Sequence, residues 1–252
     1  MWIFRCYTAH KIVVLFKIDR QICMLRKSKG NMYEFITHTW NPIKGKCLHK
    51  CKYCYMKRIT PNAGQIRLAI EAFKDNLGKG NYIFVGSSTD LFADNVPSKW
   101  IEWVLQYCHY NNNPEKPNTF LLQSKNPKRF LEFIDHPLMA HVEFCTTLET
   151  NRYYTDIMNN APRIEERVEA MASIAELGFK TMVTAEPLMD FDLDEFVELI
   201  RRCQPYQVNI GRNSIRDIIL PEPDPKKVQD LVTSLRAFTR VEIKKNASIW
   251  FE

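Results

Sequence analysis

From Tyr33 onward, short β-rich runs alternate with amphipathic stretches, and this alternation is the strongest constraint on the fold. The β-rich runs span residues 33–39, 82–85, 119–123, 142–148, 180–185 and 207–210, with a last β-like stretch over 241–250. The first ends at Trp40-Asn41-Pro42, where proline stops ladder pairing. Residues 65–77 have helical spacing (Ile66, Ala69, Ile70, Phe73, Leu77) and stop at Gly78, a residue suited to a helix C-terminus. Residues 98–110 predict a helix with Ser98 as N-cap, and 127–134 one with proline in its first turn. A long helix over 163–177, closed by Gly178, is followed by helices over 193–203 and 225–239. Strands separated by such helices predict βαβ units and a parallel sheet. Six units with a cysteine loop after the first strand predict an α/β fold, an open partial barrel whose chemistry sits at the C-terminal strand ends.

The chain has 252 residues and a net charge of +6, a length that suits one α/β domain. Its basic excess sits in residues 1–31, where seven Lys and Arg face Asp19 alone, while residues 32–252 balance at 28 against 28. The body therefore gives no net-charge argument for a nucleic-acid partner. We read residues 1–31 as a basic extension, non-native or disordered, and residues 32–252 as the folded domain, because the recognisable pattern begins directly after Met32. No apolar stretch approaches the roughly eighteen residues needed to span a bilayer. Five of the eight cysteines are scattered, as expected of reduced, mostly buried thiols, so we expect a cytoplasmic protein.

The other three, Cys47, Cys51 and Cys54, fall in the run CLHKCKYC. Thiolates bind soft metals, and a closed site on a single ion wants four ligands, whereas this motif supplies three. His38 or His49 could complete a zinc site, and a zinc-stabilised binding protein stays open as an alternative, although no second half-site is visible downstream. Three thiolates on a four-iron cluster would instead leave one iron open for substrate chemistry. Polar residues follow each strand where a barrel mouth would lie, among them Gly86, Ser87, Ser88 and Asp90; Lys125; Thr147 and Glu149; and Glu186, a carboxylate at an otherwise apolar strand end.

The C-x3-C-x2-C spacing directly after the first strand resembles the radical SAM superfamily. TWNPIKGKC…CKYCY, VGSSTDLF, LLQSKNPKR, RIEERVEAM and AEPLMD are similar to a phage- and bacterium-encoded group of radical-SAM-like proteins, itself similar to the spore photoproduct lyase group. The resemblance runs from about Met32 to the C-terminal region. It implies a partial (β/α)6 TIM-like barrel of the radical SAM type, with a [4Fe–4S] cluster on Cys47, Cys51 and Cys54. The open iron would chelate S-adenosylmethionine, which one electron from a flavodoxin- or ferredoxin-like donor splits into methionine and a 5′-deoxyadenosyl radical. Tyr53 stands where the family carries an aromatic residue near the adenine. Gly86-Ser87-Ser88-Thr89-Asp90 replaces the family's Gly-Gly-Glu-like segment at the methionyl amine, with Asp90 as a charged candidate. Lys125, Thr147, Glu149 and Glu186 are further cofactor candidates by strand-end position.

Strand alternation puts Cys145 on the same face as Thr147. In the lyase group a cysteine returns hydrogen to the product radical, so the resemblance makes Cys145 a catalytic candidate; as a residue type it fits better as a small core thiol. The resemblance suggests a nucleic-acid or nucleobase substrate. An enzyme that places a glycyl radical on a partner protein is an alternative within the same class.

Overall fold

The computed structural model describes residues 23–28, 33–215 and 217–252; what the sequence led us to expect of 1–22 and 29–32 lies outside the described residues. Among the described residues the central sheet has eight strands: β1 Arg26–Lys27, β2 His38–Trp40, β3 Tyr82–Val85, β4 Thr119–Gln123, β5 Val142–Thr147, β6 Thr181–Ala185, β7 Gln207–Ile210 and β8 Arg240–Ile243. They lie side by side in chain order, and every neighbouring pair is parallel except β1 with β2. The edge strand β1 thus takes two residues from the basic N-terminal segment.

Parallel strands that always add beside their predecessor, through crossovers of one hand, send their connections to one face. Four longer helices cover that face: α1 Ser98–Tyr110, α2 Ile164–Glu176, α3 Leu193–Arg202 and α4 Pro225–Arg236. Ile83, Val85, Phe120, Leu122, Phe144, Val183 and Val208 from the strands join Ile101, Leu105, Val168, Met171, Phe196 and Leu231 from the helices in the large apolar core. Alternation sends the intervening residues the other way. There Phe84, Leu121, Cys145 and Met182 form a second, smaller cluster, covered by Tyr33 and Ile36. Glu143, Thr147, Thr184, Gln207 and Asn209 share that face by the same alternation, and all are buried. A sheet apolar on its outer face and mixed on its inner one is the partial barrel that the β/α alternation predicts. Its N-terminal end is closed by Glu143, whose carboxylate accepts from the hydroxyls of Tyr82 and Tyr206 and stands 3.4 Å from Lys180 Nζ.

Several boundaries depart from the sequence reading. Residues 65–77 do not form a helix. Arg67–Leu68 pairs with Ile43–Lys44, Asp75–Asn76 pairs with Cys23–Met24, and a short 3-10 helix, Ile70–Lys74, lies between them. Strand pairing at both ends takes up the backbone that a helix would need, while Ala69, Phe73 and Leu77 still reach the core. Residues 127–134 and 245–251 are likewise 3-10 rather than α-helix and strand. Ser98 is the first helical residue, not the cap, and its hydroxyl accepts from Arg129 Nη2 at 2.9 Å. No helix among the described residues is long and apolar enough to cross a membrane.

Candidate functional site

Pro42 ends β2, and the chain leaves the sheet's C-terminal edge in a loop tied at its base by the Ile43–Lys44 pairing and by Lys46 N donating to Gly64 O at 2.9 Å. The loop carries Cys47, Cys51 and Cys54 as free thiols, Cys51 buried and the others half-buried. A segment the sequence reading overlooked, around the short helix Thr155–Met158, holds it from behind. Lys52 N donates to Ile157 O at 2.8 Å, Asn160 N to His49 O at 3.1 Å, and Asn160 Nδ2 to Leu48 O at 3.0 Å. Burial pushes the Cys47 thiol up to about 12, with Asp90 adding to the shift. Burial raises Cys51 as well, opposed by Lys125. Metal uptake at such thiols must therefore displace protons.

Among the described residues no group of three or more His, Cys, Asp and Glu side chains converges on one ion position. A single ion needs all its ligands in one coordination sphere, while a cluster gives each thiolate its own iron and tolerates wider spacing. Of the two histidines weighed for a zinc site, His49 places Nε2 2.9 Å from Asp90 Oδ2 and keeps Nδ1 buried with no hydrogen-bond partner among the described residues, and His38 Nδ1 lies 2.9 Å from Thr37 Oγ1.

Facing the cysteine loop is a buried charged group. Glu149 Oε2 accepts from Arg167 Nη1 at 2.8 Å, its Oε1 lies 3.6 Å from Lys125 Nζ, and the Tyr53 hydroxyl donates to it. Arg167 also donates to Thr147 O at 2.7 Å and to Pro162 O at 2.8 Å. Lys125 Nζ stands 5.3 Å from the Tyr53 ring centre, a cation–π contact. Burial alone would raise the Glu149 carboxyl, but Arg167 and Lys125 outweigh it and hold the group below the usual carboxylate range. Burial likewise acts to lower Lys125, and Glu149 reverses it, so the ammonium is raised. Arg167 Nη2 is buried and has no hydrogen-bond partner. The structure thus brings Tyr53, Lys125, Thr147 and Glu149 together and adds Arg167, absent from the sequence candidates. Arg167 was detectable: it stands within the apolar spacing Ile164, Arg167, Val168, Met171, an i, i+3, i+4, i+7 stripe that should be apolar.

The segment after β3 is arranged differently. Gly86 takes φ +80°, a conformation side chains rarely adopt, and a Cβ there would lie 3.2 Å from Thr89 O. Asn41 braces the turn, its Oδ1 accepting from Ser88 N at 2.8 Å and its Nδ2 donating to Ser87 Oγ at 3.2 Å; Tyr55 Oη donates to Ser87 O at 2.5 Å. Asp90, considered from sequence as a ligand for an ammonium group, is occupied within the protein. Its oxygens accept from Ser124 Oγ at 2.8 Å and from the backbone of Phe92 and Lys125, both at 2.9 Å, and one of them faces His49. Asp90 thus ties the cysteine loop to the ends of β3 and β4. Burial raises its carboxyl, and His49 more than reverses this, leaving it lowered.

Glu186, at the end of β6, stands apart from these groups and pairs with Lys244 Nζ at 2.6 Å. It packs so close to Gly211 that a Cβ there would lie 2.8 Å from Glu186 Cδ. Cys145 lies on the inner face, fully buried among Tyr33, Phe84, Leu121 and Met182, with Thr147 one position further along that face. Above it Tyr33 Oη donates to Gln123 Oε1 at 2.9 Å.

With this geometry in view, the chain can be compared with known proteins. No family model matches the sequence, and no curated protein matches it significantly. Solved structures do match. A cysteine-to-serine mutant of spore photoproduct lyase superposes with a TM-score of 0.63 at 11% identity, over 87% of this chain and 80% of that one. A tyrosine-to-phenylalanine mutant of the same lyase gives 0.55 at 12% identity, over 87% of this chain and 67% of that one. The chain therefore shares its fold, an α/β partial barrel, with the spore photoproduct lyase structures.

Proposed function

We propose that this protein is a radical SAM enzyme whose cluster is held by Cys47, Cys51 and Cys54. The observation that carries the proposal is a loop of three free thiols at the C-terminal end of the first parallel strand, beside the buried Tyr53–Lys125–Glu149–Arg167 group. When bound, cluster and S-adenosylmethionine supply a 5′-deoxyadenosyl radical that abstracts hydrogen from substrate. The donor set fits this pair better than zinc: the soft ligands stop at three, and among the described residues no group of three or more His, Cys, Asp and Glu side chains converges on one ion position.

The chain's own residues then have assignable work. Lys125 and the unpartnered Arg167 Nη2 offer donors to the cofactor carboxylate, and Glu149 holds both cations in place. The Tyr53 ring would pack against the cofactor's adenine. The turn at Gly86, Ser87 and Ser88, braced by Asn41, presents its oxygens to the methionyl amine, while Asp90 holds the turn to the cysteine loop. The inner face, covered by Tyr33 and Ile36, excludes water from a reactive carbon radical. Cys145, on that face, would return hydrogen to a product radical once substrate reaches the inner face. Glu186, paired with Lys244 just beyond β6, would complete the cofactor-binding set. The lyase-like fold favours a substrate that contains a nucleobase.

Anaerobic reconstitution with iron and sulfide tests the reading. A brown protein with iron and sulfide in equal amounts, cleaving S-adenosylmethionine under a strong reductant, is expected. Stoichiometric zinc with no iron uptake would end it.

A further inference from the structure

A sheet whose strands add in sequence without closing leaves two ends to be covered. Here they are the β1–β2 end and β8. Residues 33–36, just ahead of β2, reach from one to the other: Glu34 lies 3.4 Å from Lys245, and Lys244 Nζ stands 4.8 Å from the centre of the Tyr33 ring. Side chains rather than ladder bonds hold the segment. Among the described residues its one backbone bond is a turn, Ile36 N to Tyr33 O at 3.0 Å, and bonding to the sheet begins at Thr37, whose N–H donates to Tyr82 O at 3.0 Å.

Tyr33 is nevertheless buried. Its ring stacks on Phe35, with centroids 5.3 Å apart, and packs with Phe84 and Cys145 in the inner-face cluster. Its hydroxyl donates to Gln123 Oε1, and Gln123 is fixed in turn by donating from Nε2 to Thr147 Oγ1 at 3.3 Å. Thr184 Oγ1 faces the same phenol oxygen, buried and in a geometry that makes no hydrogen bond. The phenol thus satisfies one of the two polar groups that face it. A flat ring with a donor next to an acceptor, as in the lactam edge of uracil or guanine, satisfies both.

We propose that Tyr33 is a displaceable plug: it holds the lumen position of the substrate's ring, and residues 33–36 withdraw when a ring with a lactam edge takes its place on Gln123 and Thr184. The inference rests on the reading of the lumen as the reaction chamber, since a substrate radical meets Cys145 only where Tyr33 now packs. A plug that leaves only for substrate keeps water and stray hydrogen donors from the radical until there is something to react. It also lowers the apparent affinity, because ligand binds only the fraction of chains that are open.

The test uses the reconstituted protein grown with 3-fluorotyrosine. Uridine is the probe, and 3-methyluridine, which lacks the ring donor, is its control. The fluorine resonance missing from Tyr33→Phe belongs to Tyr33. Uridine should move it to the position of an exposed tyrosine, and 3-methyluridine at the same concentration should not. By equilibrium dialysis, uridine should bind Tyr33→Ala at least about tenfold more tightly than wild type. Where that variant fails to fold, Tyr33→Phe, which loses only the bond to Gln123, should tighten binding about fivefold. Thr184→Val should weaken it about fivefold. Weaker binding to Tyr33→Ala would make Tyr33 a wall of the site and overturn the plug, as would a resonance that uridine leaves unmoved. Neither measurement needs the cluster. A protein that loads iron and cleaves S-adenosylmethionine but fails them keeps the radical reading and loses the plug. One that takes up zinc in place of iron and fails them loses both.

Discussion

Two buried glutamates, Glu143 near the start of β5 and Glu149 just beyond its end, answer the same problem in opposite ways. Each is nearly or fully inaccessible to water. Glu143 is met mainly by neutral donors, the hydroxyls of Tyr82 and Tyr206, with the exposed Lys180 at its edge. Glu149 is met by a fully buried guanidinium, a buried ammonium and a tyrosine hydroxyl. One end of the lumen is a floor sealed with hydroxyls, and the other is a mouth built from fixed charge. A cluster of three buried charged side chains at a strand's C-terminal end is costly as mere structure, which supports the proposed cofactor role of Lys125, Glu149 and Arg167.

The comparison breaks most sharply on the thiols. Cys51→Ala is expected to abolish iron uptake at the mouth while shifting the thermal midpoint by no more than about 4 °C, checked by iron analysis and calorimetry. Arg167→Ala removes one partner of a buried pair and leaves Glu149 uncompensated; a loss of about 3–5 kcal/mol is expected in urea unfolding. Glu149→Gln should cost about 2–3 kcal/mol near pH 7, against about 1 kcal/mol for Glu143→Gln, whose partners are mainly neutral. The sign of the acid response separates them further. The folded-state pKa of Glu149 is depressed, so its contribution is complete above the unfolded value of about 4.3 and lost as pH falls through the folded value. The gap between wild type and Glu149→Gln should therefore close on acidification, and urea midpoints at several acid pH values would measure it. Equal costs for the two glutamates would remove the distinction between floor and mouth. The smallest effect is expected at Cys145→Ala: about 1 kcal/mol of stability, intact cleavage of S-adenosylmethionine, and an altered product. Unchanged turnover and product would make Cys145 a core thiol only.

What was legible in the chain follows from where local preference and tertiary context agree. The strands at 82–85, 119–123 and 207–210 are found with the predicted bounds because their side chains alternate between two buried faces. The helix predicted over 65–77 failed because its ends are recruited as strands by residues far away in sequence, which no window of apolar spacing can register. Lys125, Thr147 and Glu149 were chosen by position at strand ends and Tyr53 by its place before the third cysteine, and the fold does bring the four together. Asp90 was chosen on the same ground, yet it is consumed by His49, Ser124 and backbone amides, because an acceptor's partners are set by packing rather than position. Asn41 and Asn160 brace the site through backbone groups, a role that leaves no mark in residue spacing.

The sequential strand order has a consequence for assembly during synthesis. The thiol loop, its brace at 155–160 and the Lys125–Glu149–Arg167 group all come from residues 41–167 and need only β2 to β5 and the start of α2. Strands β6 to β8, which bring Glu186 and Lys244 to the far side of the lumen, emerge later. Because a domain generally folds as a unit, the candidate site is synthesised first but takes its final form only when β6 to β8 complete the sheet.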